Sequence, residues 1–139
     1  MAVHFTGVVL LTQQLAPLLA DGGSILNVST GLTRFATNPA YSVYSSMKGA
    51  IEVWTHYLAR ELGPRRIRVN AIAPGATATD FAAGAVRDNP QYRAMIEPTV
   101  ALGRIGEPDD IGAAVAAILD PRMAWVTGQR IEASGGQRL

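Results

Sequence analysis

Ser24-Ile25-Leu26-Asn27-Val28-Ser29-Thr30 is the stretch on which the reading of the fold turns. A short apolar run follows the turn Asp21-Gly22-Gly23, which is the pattern of a strand buried on both faces of a parallel sheet. Upstream, Val8, Leu11, Leu15 and Leu18 share one face at spacings of three and four, so a helix is predicted over 3–20. Pro17 removes a backbone donor and should bend or fray its last turn. Downstream, 30–40 is rich in Gly, Thr, Asn and Pro and reads as a loop. The clearest helix follows over 42–62, where Val43, Met47, Ile51, Trp54 and Leu58 trace a stripe that Gly63-Pro64 stops.

Ile67-Arg68-Val69-Asn70-Ala71-Ile72 is a second strand, ended by Pro74-Gly75. Residues 76–106 are less ordered in pattern, with helices expected near 79–87 and 90–101. Pro108-Asp109-Asp110 starts a well-signalled helix, with proline in the first turn and acids at its positive end, running to about Leu119. Asp120-Pro121 stops it, and Arg130-Ile131-Glu132-Ala133 makes a third strand before Gly135-Gly136. The order αβαβ(αα)αβ, without internal repeat, predicts an α/β fold of about three parallel strands joined by helical crossovers.

The 139 residues suit one domain with a small core. Twelve basic and eleven acidic residues leave a charge of +1, which carries no footprint for nucleic acid. Arg65-Arg66, with Arg68 nearby, reads as a solvated helix end. The absence of cysteine excludes disulfide and thiolate chemistry and fits a cytoplasmic home. No apolar stretch reaches the roughly 20 residues of a membrane span, and Met1–Leu11 lacks a basic signal region. His4 and His56 lie far apart without a carboxylate cluster, so no metal site is expected.

The chemistry concentrates around the single lysine. Lys48 lies four positions after Tyr44, on the same helix face. An ammonium near a phenol favours the phenolate and lowers a pKa that is otherwise about 10. The bland alternative is a half-buried aromatic beside a surface charge. Against it stands convergence. The first strand delivers Ser29 and Thr30 at its carboxyl end, and the second delivers Pro74-Gly75 and then Thr79-Asp80 at the same edge, where open α/β sheets bind ligands.

Five ordered blocks carry a resemblance: Asn27-Val28-Ser29-Thr30; Tyr44-x-x-x-Lys48 (YxxxK); Arg68 to Gly75 with Thr79; Gly103-Arg104-Ile105-Gly106-Glu107-Pro108 with Asp110-Ile111; and Thr127-Gly128-Gln129 to Gly135-Gly136. Together the chain resembles the short-chain dehydrogenase/reductase family along essentially its whole length. The resemblance implies a partial doubly wound, Rossmann-like sheet. It implies NAD or NADP as cofactor, a small carbonyl or alcohol substrate, and a homo-oligomer. Tyr44 would be the acid/base, Lys48 its tuner and a partner of the nicotinamide ribose. Thr30, or Ser29 just before it, would be the hydroxyl that polarises the carbonyl. Pro74, Gly75, Ala76 and Thr79 would hold the nicotinamide side. Tyr41 lacks a lysine four residues on and is a decoy.

Three departures accompany it. Threonine stands where the family usually has serine, and the stretch from Thr30 to Tyr44 is one residue longer than its commonest spacing. His4 stands where the family carries a helix-borne asparagine, able to pass a proton or lie idle. The family's glycine-rich nucleotide-binding half has no counterpart, since Gly22-Gly23 close a helix instead of opening one. The chain therefore reads as a single C-terminal catalytic portion, 1–139, with a substrate lid over about 80–104 walled by Phe81, Ala82, Ala83, Val86, Tyr92, Met95 and Ile96. Two explanations are expected to compete: a fragment from a misplaced start codon or a degraded gene, or a chain that docks on a separate one supplying the front half. The rival expectation is a non-catalytic half-domain that acts through helix pairing, with Trp54 and Leu58 in a dimer seam.

Overall fold

The computed structural model describes residues 2–139. Three strands, β1 (Ser24–Val28), β2 (Arg68–Pro74) and β3 (Arg130–Ala133), form one parallel sheet in the order β1-β2-β3. α1 (Gly7–Leu15) precedes β1, and α2 (Ser42–Leu62) crosses from β1 to β2. α3 (Phe81–Asp88), α4 (Pro90–Ile96) and α5 (Pro108–Leu119) lie between β2 and β3. The strand and helix order is that read from the periodicities.

Successive β2 side chains explain the two helical layers, because neighbours in a strand point to opposite faces. Val69 packs with Leu58, Ala59, Leu62 and Ile67 under α2. Arg68, one residue earlier, reaches the carboxyl end of α5 on the other face. Every residue from Arg68 to Ala73 is buried. Fully burying side chains such as Ile51, Ile67, Val69 and Ile72 contributes about 1.5–3 kcal/mol each. Asn70 is buried too, and its amide accepts from the Gln129 N–H and donates to the Val126 carbonyl, each at 2.9 Å, which pins the turn leading into β3.

Several expectations are corrected. β1 is not buried on both faces: Ile25 and Leu26 are half-buried and Val28 is 55% exposed. It lies at the sheet edge, and among the described residues no strand pairs with its outer side. The helix read over 3–20 is a π-helical turn Ala2–Thr6, then α1, then a 3-10 turn Ala16–Leu18 that contains Pro17, where the fraying was expected. Its apolar residues Leu10, Leu11, Leu15 and Leu18 are exposed, since only Ala16 and Leu19 reach the core.

The α2 stripe keeps its reading except at one position: Ile51 and Leu58 are buried, and Met47 and Trp54 half-buried. Val43 faces out, and Leu58 is only 5% exposed inside this chain's own core, so it is no seam residue; Val53 and Tyr57 are the exposed apolar groups there. The basic cluster is likewise not a solvated helix end. Arg66 alone is exposed. Arg65 pairs with Asp21 at 2.8 Å and donates to the carbonyls of Ala16 and Leu19. Arg68 is 7% exposed and donates to the carbonyls of Ile118, Leu119, Asp120 and Val126 at 3.0–3.4 Å. Both satisfy helix-terminal carbonyls that lack intrahelical partners.

The helix expected near 79–87 starts at Phe81 and is broken, with Ala82, Ala83 and Gly84 in the left-handed region at φ 51°, 56° and 74°. The two alanines cost about 1–2 kcal/mol each. The α5 start follows its signals: the Asp110 carboxylate accepts from the Glu107 N–H at 2.8 Å and pairs with Arg104. No helix among the described residues is long and apolar enough to cross a membrane.

Candidate active site

Because all three strands are parallel, their carboxyl ends meet at one edge of the sheet. A cleft of about 820 Å³ opens there. Ser29 and Thr30 just after β1, Pro74 at the end of β2 with Gly75, Ala76 and Thr79 beyond it, and Tyr44 at the start of α2 all line it. Of the residues expected at the site, Lys48 lies behind this lining, and Ala83, expected in the lid wall, is turned out to solvent while Phe81, Ala82, Val86, Tyr92, Met95 and Ile96 line the cleft. Lys48 is 9% exposed, and its Nζ donates to the Val28 carbonyl at 2.8 Å and sits 5.9 Å from the centre of the Tyr44 ring. The 44–48 pair therefore shares a helix face, as the spacing required.

The Tyr44 ring is held edge-on by His4, with centroids 5.2 Å apart, and contacts Phe81 at 5.4 Å. His4 is thus at the site. So is Tyr41, expected to be a decoy, which lines the cleft. Burial pushes the Tyr44 phenol above its ordinary value; the adjacent Thr30 hydroxyl acts in the opposite sense, and Tyr41 adds to the rise. This direction reverses the expectation that Lys48 lowers it. The ammonium is committed to a strand carbonyl, and burial depresses its own proton affinity. A tyrosinate absorbance titration, compared with Tyr44→Phe, is expected to place this residue's ionisation above pH 10; a midpoint below that would reverse the assignment.

The two candidate hydroxyls are held differently. Ser29 Oγ donates to Glu52 Oε1, one helical turn beyond Lys48. The same carboxylate oxygen accepts from Thr33 Oγ1 at 2.7 Å and Arg130 Nε at 2.8 Å. Thr30 Oγ1 accepts from the Leu32 N–H at 3.4 Å and faces Tyr44, while the Thr30 carbonyl accepts from Arg130 at 3.2 Å. Ser29 is therefore part of a partly buried ionic network, and Thr30 is the hydroxyl beside the phenol.

That network was not read from the sequence. Arg130 also pairs with Glu132 at 2.9 Å, and Arg34 holds Glu132 with two bonds of 2.7 and 2.8 Å. Arg34 further donates to the carbonyls of Gln137 and Arg138. Buried Gln137 accepts from the Ala76 N–H through Oε1 at 2.9 Å. A Cβ on Gly75 would stand 2.6 Å from that of Ser134, so only glycine lets this loop lie so close to the chain's tail.

Arg34 holds the Glu132 carboxyl down at about 2, opposed by burial and helped by Ser134 and Arg130. A depressed carboxyl stabilises the fold above its ordinary value and ceases to do so as pH falls through its folded one. Unfolding free energy is therefore expected to decline from about pH 4.5 toward pH 2. Glu132→Gln should flatten that decline in urea titrations across this range, and an unchanged slope would contradict the role of the pair.

Known proteins resemble this chain closely. A family model described as enoyl-(acyl carrier protein) reductase matches residues 1–138. An uncharacterized oxidoreductase of Methylorubrum extorquens is 41% identical over 98% of this chain and 54% of its own length. A 3alpha-hydroxysteroid dehydrogenase of Mediterraneibacter gnavus is 37% identical over 98% of this chain and 54% of its own. The reductase LugOII, which catalyses keto-reduction at C1 during lugdunomycin biosynthesis, superposes with a TM-score of 0.90 at 41% identity, covering 99% of this chain and 53% of its own. The angucycline C-6 ketoreductase LanV with bound NADP gives 0.90 at 36% identity, with coverages of 99% and 52%. Other solved matches hold NADPH or NAD. The chain spans about half the length of these relatives.

Proposed function

Because the chain belongs to the short-chain dehydrogenase/reductase family of oxidoreductases, we propose that its cleft is the catalytic end of an NAD- or NADP-dependent enzyme interconverting a ketone or aldehyde and an alcohol. The observation that carries this reading is the meeting of the Thr30 hydroxyl, the Tyr44 phenol and the Lys48 ammonium at the carboxyl ends of the strands. The nicotinamide cofactor supplies hydride chemistry when bound. The residues present fit one end of it: Pro74, Gly75, Ala76 and Thr79 shape a pocket wall held by Gln137 and Ser134, and Lys48 retains donors beyond its one bond to Val28. The pyrophosphate end calls for a glycine-rich turn at a helix N-terminus, which this sequence does not contain.

In the reductive direction Tyr44 gives its phenolic proton to the carbonyl oxygen. A phenol kept protonated by burial is suited to that role. Thr30 donates a hydrogen bond to the same oxygen and stabilises the charge that develops on it. Lys48, fixed by Val28, sets a positive charge behind the ring that stabilises the phenolate left once the proton has gone, and solvent returns that proton after product leaves, while the segment 80–104 closes over the substrate. Incubation with millimolar NADPH or NADH and a ketone panel is expected to give slow, ketone-dependent loss of nicotinamide absorbance. Dinucleotide binding should be weaker than about millimolar, because the pyrophosphate donors are missing.

A second reading, a non-catalytic interaction half-domain, is favoured by the exposed Leu10, Leu11, Leu15 and Leu18 and by the outer edge of β1. No ketone-dependent loss with either cofactor would leave that reading standing and remove the first.

A further inference from the structure

The chemistry of the cleft walls is more specific than the reaction. Phe35 and Tyr41 come from the segment between β1 and α2, while Phe81, Tyr92, Met95 and Ile96 come from α3 and α4. Aromatic rings thus face the reacting end from two directions, and Phe81 already stacks at a tilt on Tyr44. Phe35 is held by guanidinium groups, Arg34 at 5.1 Å and Arg138 at 5.7 Å from its centre. That fixes the orientation of one wall. Phe81 and Met95 are more than half exposed, so apolar surface at the mouth is left for an occupant to cover.

Charge is almost absent. Among the described residues Arg138 is the one formally charged group of the lining, which includes no carboxylate; of the cations behind it, Arg34 is committed to Glu132 and two carbonyls, and Lys48 to the Val28 carbonyl beneath Tyr44. A phosphate-bearing carrier or an anionic substrate would need paired cations at the rim. The aromatic walls of the part of the cleft beyond the Pro74–Thr79 wall match instead a flat apolar ligand.

We propose that the cleft between the β1–α2 segment and α3–α4 takes a neutral, rigid, multi-ring ketone, with its rings against Phe35, Tyr41, Phe81 and Tyr92 and its carbonyl toward Thr30 and Tyr44. This rests on the carbonyl-reducing reading of the same site. The ring-bearing part of the molecule is recognised by stacking and apolar contact, and only the carbonyl is recognised by hydrogen bonds. Flat aromatic rings suit such walls because offset stacking adds to the area they bury, at little cost in internal freedom.

Calorimetric or NMR titration of the 139-residue chain tests this with fluorenone, fluorenone-4-carboxylate and the acetoacetyl thioester of N-acetylcysteamine. Fluorenone is expected to bind about tenfold or more tightly than the thioester and than its own carboxylate. Met95→Lys, which sets a charge at an exposed position of the mouth, and Phe81→Ala, which removes an exposed ring, should each weaken fluorenone several-fold. Thioester or carboxylate binding as tight as fluorenone, or no fluorenone binding at all, overturns the proposal. Turnover separates it from the reading beneath it. Fluorenone bound but never reduced with NADPH sinks the reaction and leaves the ligand class. Thioester reduced with fluorenone unbound sinks the ligand class and leaves the reaction.

Discussion

Tyr44→Phe is expected to lower ketone turnover by about 10²–10⁴-fold, the contribution of a positioned general acid, while leaving the fold intact. The substitution keeps the ring that packs against His4 and Phe81 and removes only the phenolic oxygen. Stability should change by under about 1 kcal/mol, because the hydroxyl is half-buried with Thr30 as its neighbour. The check is paired: nicotinamide absorbance for turnover and urea unfolding for stability, on the same preparations. Turnover that survives at the parent rate would remove Tyr44 from the proton chemistry. A large stability loss would show that the ring alone does not carry its packing.

Arg68→Met is expected to be the most destabilising change of a charged residue, at on the order of 3 kcal/mol, because buried carbonyls lose a charged donor. Four carbonyls depend on this guanidinium, three at the end of α5 and the fourth, Val126, on the approach to β3. Methionine fills much of the same volume and supplies no N–H. The helix end should fray, and with it the Val126–Gln129 turn that Asn70 pins. A drop in the urea midpoint with an unchanged slope would register the loss. A change below about 0.5 kcal/mol would place Arg68 among ordinary surface residues, as its neighbours in sequence imply.

Much of this architecture is local and could be read residue by residue. β3 begins and ends where its pattern placed it, and α2 stops at Gly63. The α5 start was announced by Pro108 and two acids, and the Tyr44–Lys48 pair by a spacing of four. Each of these signals is carried by residues within a turn or two of one another, so periodicity and capping suffice. Thr30 and Ser29 were both legible as hydroxyls at a strand end. Which of them faces the phenol was not, because that depends on Glu52 and Arg130 claiming Ser29 and the Thr30 carbonyl from 23 and 100 positions away.

The sequence alone settled the order of elements, the parallel sheet and the chemistry grouped at one edge of it, since local patterning decides where a chain turns and which side chains share a face. Tertiary structure alone decided what each group experiences. It turned Arg68 from a surface charge into a buried cap, left β1 at an open edge, kinked α3 at Ala82 and Ala83, and raised rather than lowered the proton affinity of Tyr44. Burial and proton affinity are sums over neighbours distant along the chain, and the linear order of residues does not contain those distances.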